Sequence, residues 1–475
     1  MSARPDPRRA EERAHDDRPV AVIGGGWAGC AAAVELANAG HRVVVHEAAP
    51  ALGGRARCVV RDGLPLDNGE HLLLGAYVDT IDLAASVRGQ GEAPAFATSP
   101  LALRPFGARS AQRLSFFTRD APGPLGLLAG LATAGGLRAF DRARLLGWFA
   151  AQRRNGWRCD PASTVAELLA SQPPTMRDEL WQPLCLAALN TPPSRASAQM
   201  FLNVLRETFG SGAKATSLVT PQSGLGDAIP EACARWLRAR GHQLEVRTRS
   251  RIETVGDAVV VSSSRGTLQA KAVVVATGPH QLAAAFAPAG ARGAGVERAL
   301  ECVAALRYEP ITTLYLGYDA PIALPPGLLR LEQGPGQWIF DRCDILRRAA
   351  VSPRRPAIGA LVSVVISASG PHDALDHDAL VAATDAQLRR LEPALPALVY
   401  AQVIEEKRAT YACEPGVARP SAGRVAARVY LAGDYTYGDF PATLEAAVRS
   451  GRIAARTLTR DFAATAAARG SIRAP

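Results

Sequence analysis

Between Pro19 and Pro50 the chain reads PVAVIGGGWAGCAAAVELANAGHRVVVHEAAP, and no other stretch restricts the fold as tightly. An apolar run, Val20 to Ile23, meets a glycine cluster. An Ala-rich segment of helical character continues to Ala39, Gly40 stops it, and a second apolar strand runs from Val43 to Val45. This is a βαβ opening. Gly24, Gly26 and Gly29 form G-x-G-x-x-G between strand and helix, and Glu47 stands eighteen residues beyond Gly29 at the end of the second strand. The glycines permit a tight turn and close approach of a pyrophosphate to the helix N-terminus, and the carboxylate can accept both ribose hydroxyls. Dinucleotide binding is the expectation, and Glu47 disfavours NADP because it would repel a 2′-phosphate.

Two further stretches extend this site. ALGGRARC places Gly53, Gly54 and Arg55 just after the second strand, where backbone and guanidinium can meet a diphosphate. In LAGDYTYGDFPATLEAAVRSGRIAA, Gly433 and Asp434 end a strand, and Pro441, Ala442 and Thr443 open an amphipathic helix. Its N-terminal amides suit a partly anionic group such as the pyrimidine side of a reduced flavin.

The texture elsewhere sets the domain plan. HQLEVRTRSRIETV, TLQAKAVVVATG (Thr267 to Gly278) and RVYLAG (Arg428 to Gly433) read as strands. Residues 76–217 carry Leu, Ala and Arg at helical spacing, whereas 310–318 and 359–369 look like strands of a different sheet. The expected fold class is α/β: a discontinuous Rossmann-type domain from 19–75, 218–285 and 420–460, with an α+β substrate domain from 76–217 and 286–419. A disordered arm is expected over 1–18 and a frayed tail over 461–475. No internal repeat is visible.

At 475 residues the chain is long enough for two cores. Its net charge of +10 is spread without dense Lys/Arg runs or interleaved aromatics, so nucleic acid is not an expected partner. The eight cysteines lack C-x-x-C pairs and metal-ligand spacing, as reduced thiols of a cytoplasmic protein would. No metal is expected, and no window has the length and apolarity of a spanning helix.

DNGEHLLLG, Asp67 to Gly75, sets proton-carrying groups directly before three leucines. Asp67 followed by Asn68-Gly69 reads as a turn former. Glu70 and His71 remain as joint candidates for proton transfer, with Asp439 behind them.

The three glycine-bearing segments resemble the amine oxidase and phytoene desaturase superfamily of FAD-dependent enzymes. Within it the chain is similar to the hydroxysqualene dehydroxylase family, the squalene-associated FAD-dependent enzymes of bacterial hopanoid pathways. The narrower resemblance rests on DNGEHLLLGAY, PLCLAALNTPPSRASAQMFLNVLRE (Pro183 to Glu207), GPGQWIFDR (Gly334 to Arg342), VVISASGPH, EKRATYAC and AGDYTYGDFPATLEAAVRSG. It implies that Gly24, Gly26 and Ala28 lie on the pyrophosphate, beside Gly29 and Gly54, with Glu47 on the adenosine ribose. Arg55 would bind near the phosphates, Gly433 and Asp434 at the ribityl or phosphate region, and Thr443 and Leu444 at the flavin ring. Three positions depart from the family pattern: Glu70 stands where Gln is expected, Ala446 where Gly is usual, and Ser250 where the adenine-contacting strand has Val.

The resemblance further implies removal of the hydroxyl from a C30 isoprenoid alcohol, with reduced FAD supplying hydride to an allylic cation. A positioned acid must protonate the leaving group, and bulk water must be kept away. A long apolar tunnel is expected from the inserted segments. Residues 124–158, with Leu127, Leu128, Trp148, Phe149 and Trp157 near Arg153 and Arg154, could dock on the inner face of the cell membrane. The sequence leaves the electron donor unidentified. Two other readings remain: a carotenoid or squalene desaturase using oxidised FAD, and a non-catalytic prenyl-lipid carrier, against which the full set of flavin contacts argues.

Overall fold

The computed structural model describes residues 17–89, 91–107, 113–119, 125–209, 212, 214–287, 292–349 and 357–471. The arm expected over 1–18 therefore falls, up to residue 16, outside the described residues, as do residues 120–124 and 472–475.

Val20–Ile23 lies inside a six-stranded sheet, between Val43–His46 and Ala272–Val275. Gln243–Glu245 continues it beyond Val43–His46, and Val429–Leu431 and then Gly423–Ala426 beyond Ala272–Val275. Five strands are parallel and Gly423–Ala426, at the edge, is antiparallel. Alternate side chains serve two layers. Val20, Val22, Val43, Val45, Ala272 and Val274 pack with Trp27, Ala31 and Leu36 of the helix Trp27–Asn38. Ala21, Ile23, Val273, Val275 and Leu431 pack on the opposite side with Phe286, Val296 and Val303. Burial on both faces explains why these strands are nearly unbroken Val runs.

A second sheet has seven strands, in the order Leu398–Tyr411, Tyr308–Tyr318, Ala360–Ser367, Trp338–Asp341, Leu328–Arg330, Ala102–Pro105 and Phe116–Phe117. The helix His377–Leu391 covers one face through Leu380 and Leu388. Leu64 and Leu66, from the hairpin Cys58–Arg61 and Leu64–Asp67, meet Tyr315 and Leu361 on the other.

The strands inside 76–217 depart from the helical reading of that region. Pro100 and Pro105 cannot donate to a helical ladder, and Phe96–Ser99 pairs instead with Leu218–Pro221, which also takes Leu73–Leu74. The segment 250–270 likewise forms its own antiparallel meander rather than joining the parallel sheet.

The C-terminal helix Leu444–Ser471 crosses the Trp27–Asn38 helix so closely that a Cβ at Gly451 would stand 2.2 Å from the Ala28 carbonyl oxygen. It continues to Ser471, well into the tail expected over 461–475. The Ala-rich run favours helix, and Phe462 packs on the core beneath Lys271 and Arg428. Among the described residues, no helix is long and apolar enough to cross a membrane. All eight cysteines are free thiols.

In the Pro183 to Glu207 stretch, the helix Gln182–Leu189 ends at Asn190 in the left-handed region (φ 46°). The Asn190 amide donates to Thr410 Oγ1 (2.9 Å) and to the Pro310 carbonyl (3.2 Å), and its oxygen accepts from the Ala368 amide (2.7 Å). One side chain thus fastens the helical layer to three strands or strand ends of the second sheet.

Candidate active site

A cavity of about 830 Å³ begins at the C-terminal ends of the parallel strands and extends among the inserted helices. Gly24, Gly26, Ala28, Glu47, Gly54, Arg55, Ser250, Gly433, Asp434, Thr443 and Leu444 line one part, and Leu145, Phe149, Trp181, Leu184, Phe201 and Leu205 another. Open α/β sheets place ligands at this end of their strands.

Three glycines of the first turn do different jobs. A Cβ on Gly24 (φ 103°) would meet the Ala276 carbonyl oxygen at 2.6 Å, and one on Gly29 would meet the Gly24 carbonyl oxygen at 1.9 Å. These two are demanded by the protein's own packing, and Gly29 does not line the cavity. At Gly26 the nearest neighbour is Gly54 Cα at 3.9 Å. The space a Cβ would fill there is open, as a cradle for a phosphate requires. Gly53 N–H donates to the Gly25 carbonyl (2.8 Å), joining the two glycine turns. Glu47 is held by amides of Gly25 and Ala49 at 2.7 Å each, one per carboxylate oxygen, so its orientation is preset and each oxygen retains acceptor capacity. These residues fit a dinucleotide.

Ser250 Oγ lies 2.6 Å from His46 Nδ1, a partner the sequence reading did not identify. Burial lowers the His46 pKa, opposed by Glu245 with its carboxylate 3.6 Å away. Arg55 and Asp434, assigned separate contacts from sequence, form one unit: Arg55 Nη2 donates to Asp434 Oδ2 (2.7 Å) and Nη1 to the Ala409 carbonyl (2.6 Å). Burial disfavours the guanidinium charge, but Asp434, helped by Glu406 and Tyr308, outweighs it and Arg55 is raised above its ordinary range. Thr443 is the N-cap of the C-terminal helix, its Oγ1 accepting from Ala446 N–H (3.1 Å), so the helix begins at Leu444 rather than near Ala442. Ala446, where Gly is usual, is fully buried.

The loop from Asp67 to Gly75 is tied down from behind. Asp67 is 2% exposed; its Oδ2 accepts from Arg342 Nη2 (2.8 Å) and its Oδ1 from Leu225 N–H (3.2 Å). Glu70 is not solvated: both its oxygens accept from Arg342 Nη1 at 2.7 Å, and Oε2 also from Ser363 Oγ at 2.8 Å. In this arrangement both Glu70 oxygens serve as acceptors. His71 lines the cavity with Nδ1 3.1 Å from the Gly69 carbonyl. A carbonyl only accepts, so Nδ1 carries hydrogen and Nε2 is the nitrogen that can exchange a proton with a ligand. Burial lowers the His71 pKa, against opposing contributions from the Gly69 hydrogen bond, Asp67 and Glu70. Leu72 and Leu74 line the cavity, while Leu73 is fully buried in the strand pairing with Val219.

Asp439 is exposed and does not line the cavity, so it has no place in this site. Phe149 and Trp157, considered for membrane docking, are buried in a ring cluster: Phe149 stands 5.9 Å from Trp181, 5.7 Å from Phe209 and 6.3 Å from Trp157. Trp148 joins it at 4.7 Å from Trp181. Helical spacing showed an apolar face, and the presence of Trp181 turned that face inward. The side chains of Leu127 and Leu128 lie outside the described residues. Arg342, the partner of both Asp67 and Glu70, ends the GPGQWIFDR stretch and was not singled out from the sequence.

The model of the family described as flavin containing amine oxidoreductase matches residues 27–459. The chain is 30% identical over 465 residues to the hydroxysqualene dehydroxylase of Rhodopseudomonas palustris, covering 92% of this chain and 97% of that protein. It is 26% identical to the enzyme of the same name from Zymomonas mobilis, and 24% identical to a probable zeta-carotene desaturase of Synechococcus elongatus, with 91% and 92% of this chain and 97% and 98% of those proteins covered. Cyclohexylamine oxidase from Brevibacterium oxydans shares the fold, with a TM-score of 0.67 at 18% identity over 94% of this chain and 99% of that one. FAD is accordingly the cofactor that the cradle takes. With its sequence, fold and glycine turns in agreement, the chain belongs to the flavin containing amine oxidoreductase family, where it groups with hydroxysqualene dehydroxylases.

Proposed function

We propose that this chain removes the hydroxyl of hydroxysqualene reductively, giving squalene and water. The observation that carries the reading is one continuous cavity whose wall changes from glycine turns and charged groups to leucines and aromatic rings, with His71, Leu72 and Leu74 contributed by the same loop. FAD, when bound in its reduced form, would supply the hydride and so account for the two electrons of the reduction. His71 Nε2 delivers the proton on which the hydroxyl departs as water. Burial makes the protonated ring a stronger acid than a solvated imidazole, suited to a poor leaving group. The Leu145, Phe149, Trp181 and Phe201 wall holds the polyene and keeps water from the allylic cation.

The deciding experiment is anaerobic incubation of the dithionite-reduced protein with hydroxysqualene. Squalene with flavin reoxidation is expected. A desaturated product from the oxidised protein would instead favour the desaturase reading supported by the zeta-carotene desaturase relatives.

The same substrate dissolves in membranes, and the helix Ala139–Arg154 supports peripheral contact with the inner membrane face. Phe140 is 69% exposed with Arg144 over its ring at 5.7 Å, Arg153 and Arg154 are exposed at the far end of the helix, and Leu145 and Phe149 of the same helix line the cavity. Flotation with anionic liposomes should fall for Phe140→Glu; equal partitioning would reject the contact.

A further inference from the structure

Arg342 stands behind the active-site loop, outside the cavity wall, immediately after the strand Trp338–Asp341. It is 6% exposed, and its planar fork spans two carboxylates that the chain brings from a single loop. Nη1 donates to both oxygens of Glu70 at 2.7 Å, Nη2 donates to Asp67 Oδ2 at 2.8 Å, and Nε faces Asp344 Oδ1 at 3.5 Å. The same carboxylate loop is held by Tyr315, whose hydroxyl donates to the Asp67 carbonyl (3.0 Å), and by Ser363 on Glu70. Asp67, Glu70 and Arg342 together carry one net negative charge, the Asp344 carboxylate being paired in turn by Arg348 Nη2 at 2.6 Å. Beside them is His71, whose ring also feels the positive charge of Arg55.

We propose that Arg342 is a positioning residue: by clamping Asp67 and Glu70 it fixes the 67–71 loop and limits the charge presented to the His71 ring to a single negative one. The consequence for turnover rests on the reading of His71 as proton donor; the clamp itself does not. Lysine could not replace the fork, because a point charge cannot bond both carboxylates with the same geometry. Glu70 acquires a purpose in this arrangement. A glutamine there, as the family pattern has it, would leave the Arg342–Asp67 pair neutral, whereas Glu70 supplies the anion that offsets burial of a protonated His71. Asp67 and Glu70 do act on the ring in that direction, and Arg55 in the other.

The test is a histidine-ring NMR titration of the FAD-loaded oxidised protein, with the His71 signal assigned by its loss in His71→Gln. Glu70→Gln makes the local charge neutral and should move the His71 midpoint down by about one unit, a tenfold loss of protonated ring at a given pH. Arg342→Met leaves two unbalanced carboxylates and should move it up. The double variant Arg342→Met/Glu70→Gln restores one negative charge and should return the midpoint toward wild type. Arg342→Lys guards against misfolding: it keeps the charge, so the midpoint stays while turnover falls. Midpoints unchanged in both single variants would overturn the assignment. Midpoints that move as expected, while the pH profile of turnover does not follow, would sink His71 as proton donor and leave the Arg342 clamp standing.

Discussion

Gly26→Ala and Gly29→Ala separate what the glycine turn does for the protein from what it does for the cofactor. Gly26 has φ −69° and ψ −179°, a conformation open to alanine, and the nearest atom to its added Cβ is 3.9 Å away. The apoprotein should therefore keep its stability or gain about 0.4–1 kcal/mol from a stiffer unfolded chain. The new methyl group would occupy the space kept for the pyrophosphate. Loss of one backbone hydrogen bond to a charged group costs about 1.5–3 kcal/mol, or roughly ten- to 150-fold in affinity. At Gly29 the Cβ would come within 1.9 Å of the Gly24 oxygen and 3.0 Å of its carbon, backbone against backbone, so the loop itself must move. Overpacking of that kind costs about 1–3 kcal/mol or more, felt without any ligand. Urea unfolding of the apoproteins and titration with FAD, followed by quenching of flavin fluorescence, measure the two effects independently. The reasoning fails if Gly26→Ala binds FAD as tightly as wild type, or if it destabilises the apoprotein as much as Gly29→Ala does.

Acidification should weaken the fold through His46 and His71. Both are lowered below 6.5 by burial, so between those values and 6.5 the unfolded chain binds more protons, and stability falls as pH drops through that window. Thermal melting from pH 7.5 to 5.5 should show a falling Tm whose slope flattens in a His46→Gln/His71→Gln variant; equal slopes would refute the assignment. Over the same range kcat/KM should rise as His71 becomes protonated, provided that the measurement is made below the melting temperature at each pH. Asn190→Ala strands the Ala368 amide and places alanine at φ 46°, a loss of about 2–4 kcal/mol; Asn190→Gly should recover the part due to backbone, read from urea midpoints. Phe149→Ala removes a ring in contact with four other aromatic residues and should cost about 3–5 kcal/mol, with KM for the isoprenoid alcohol raised more than kcat is lowered; a KM equal to wild type would place the substrate elsewhere.

What could be read in advance was local. The βαβ opening announces itself because parallel strands buried on both faces must be apolar throughout, and because Gly24 needs a positive φ that its own neighbours dictate. FAD followed from the same few residues together with the resemblance. The strands at 96–117 were hidden, since Ala102–Pro105 is tied into the large sheet through Leu328–Arg330, over two hundred residues later, and its other neighbour is the two-residue strand Phe116–Phe117. The partner of Glu70 was hidden for the same reason: Arg342 is 272 positions away, and an arginine in a sequence ordinarily marks a solvated face. Ser250 was noticed as a departure from the family pattern, yet its meaning needed His46, 204 positions earlier, to be brought within 2.6 Å.

The cost of the buried cluster bears on why it exists. A guanidinium and two carboxylates withdrawn from water lose solvation that their attraction only partly returns, and well-packed apolar groups often serve stability as well or better. The cluster also sits under a turn in which Gly69 has φ 93° and just before the paired strand Leu73–Leu74, in which Leu73 turns into the core while Leu74, like Leu72 before it, lines the cavity. A one-residue slip would bury the wrong leucines and rotate His71 out of the wall. Apolar packing tolerates small shifts, whereas a fork bonded to two carboxylates has one geometry. The ionic cluster therefore contributes register rather than stability: replacing it with apolar residues of equal volume should leave the melting temperature near wild type or above it, while turnover falls because His71 is no longer held in place.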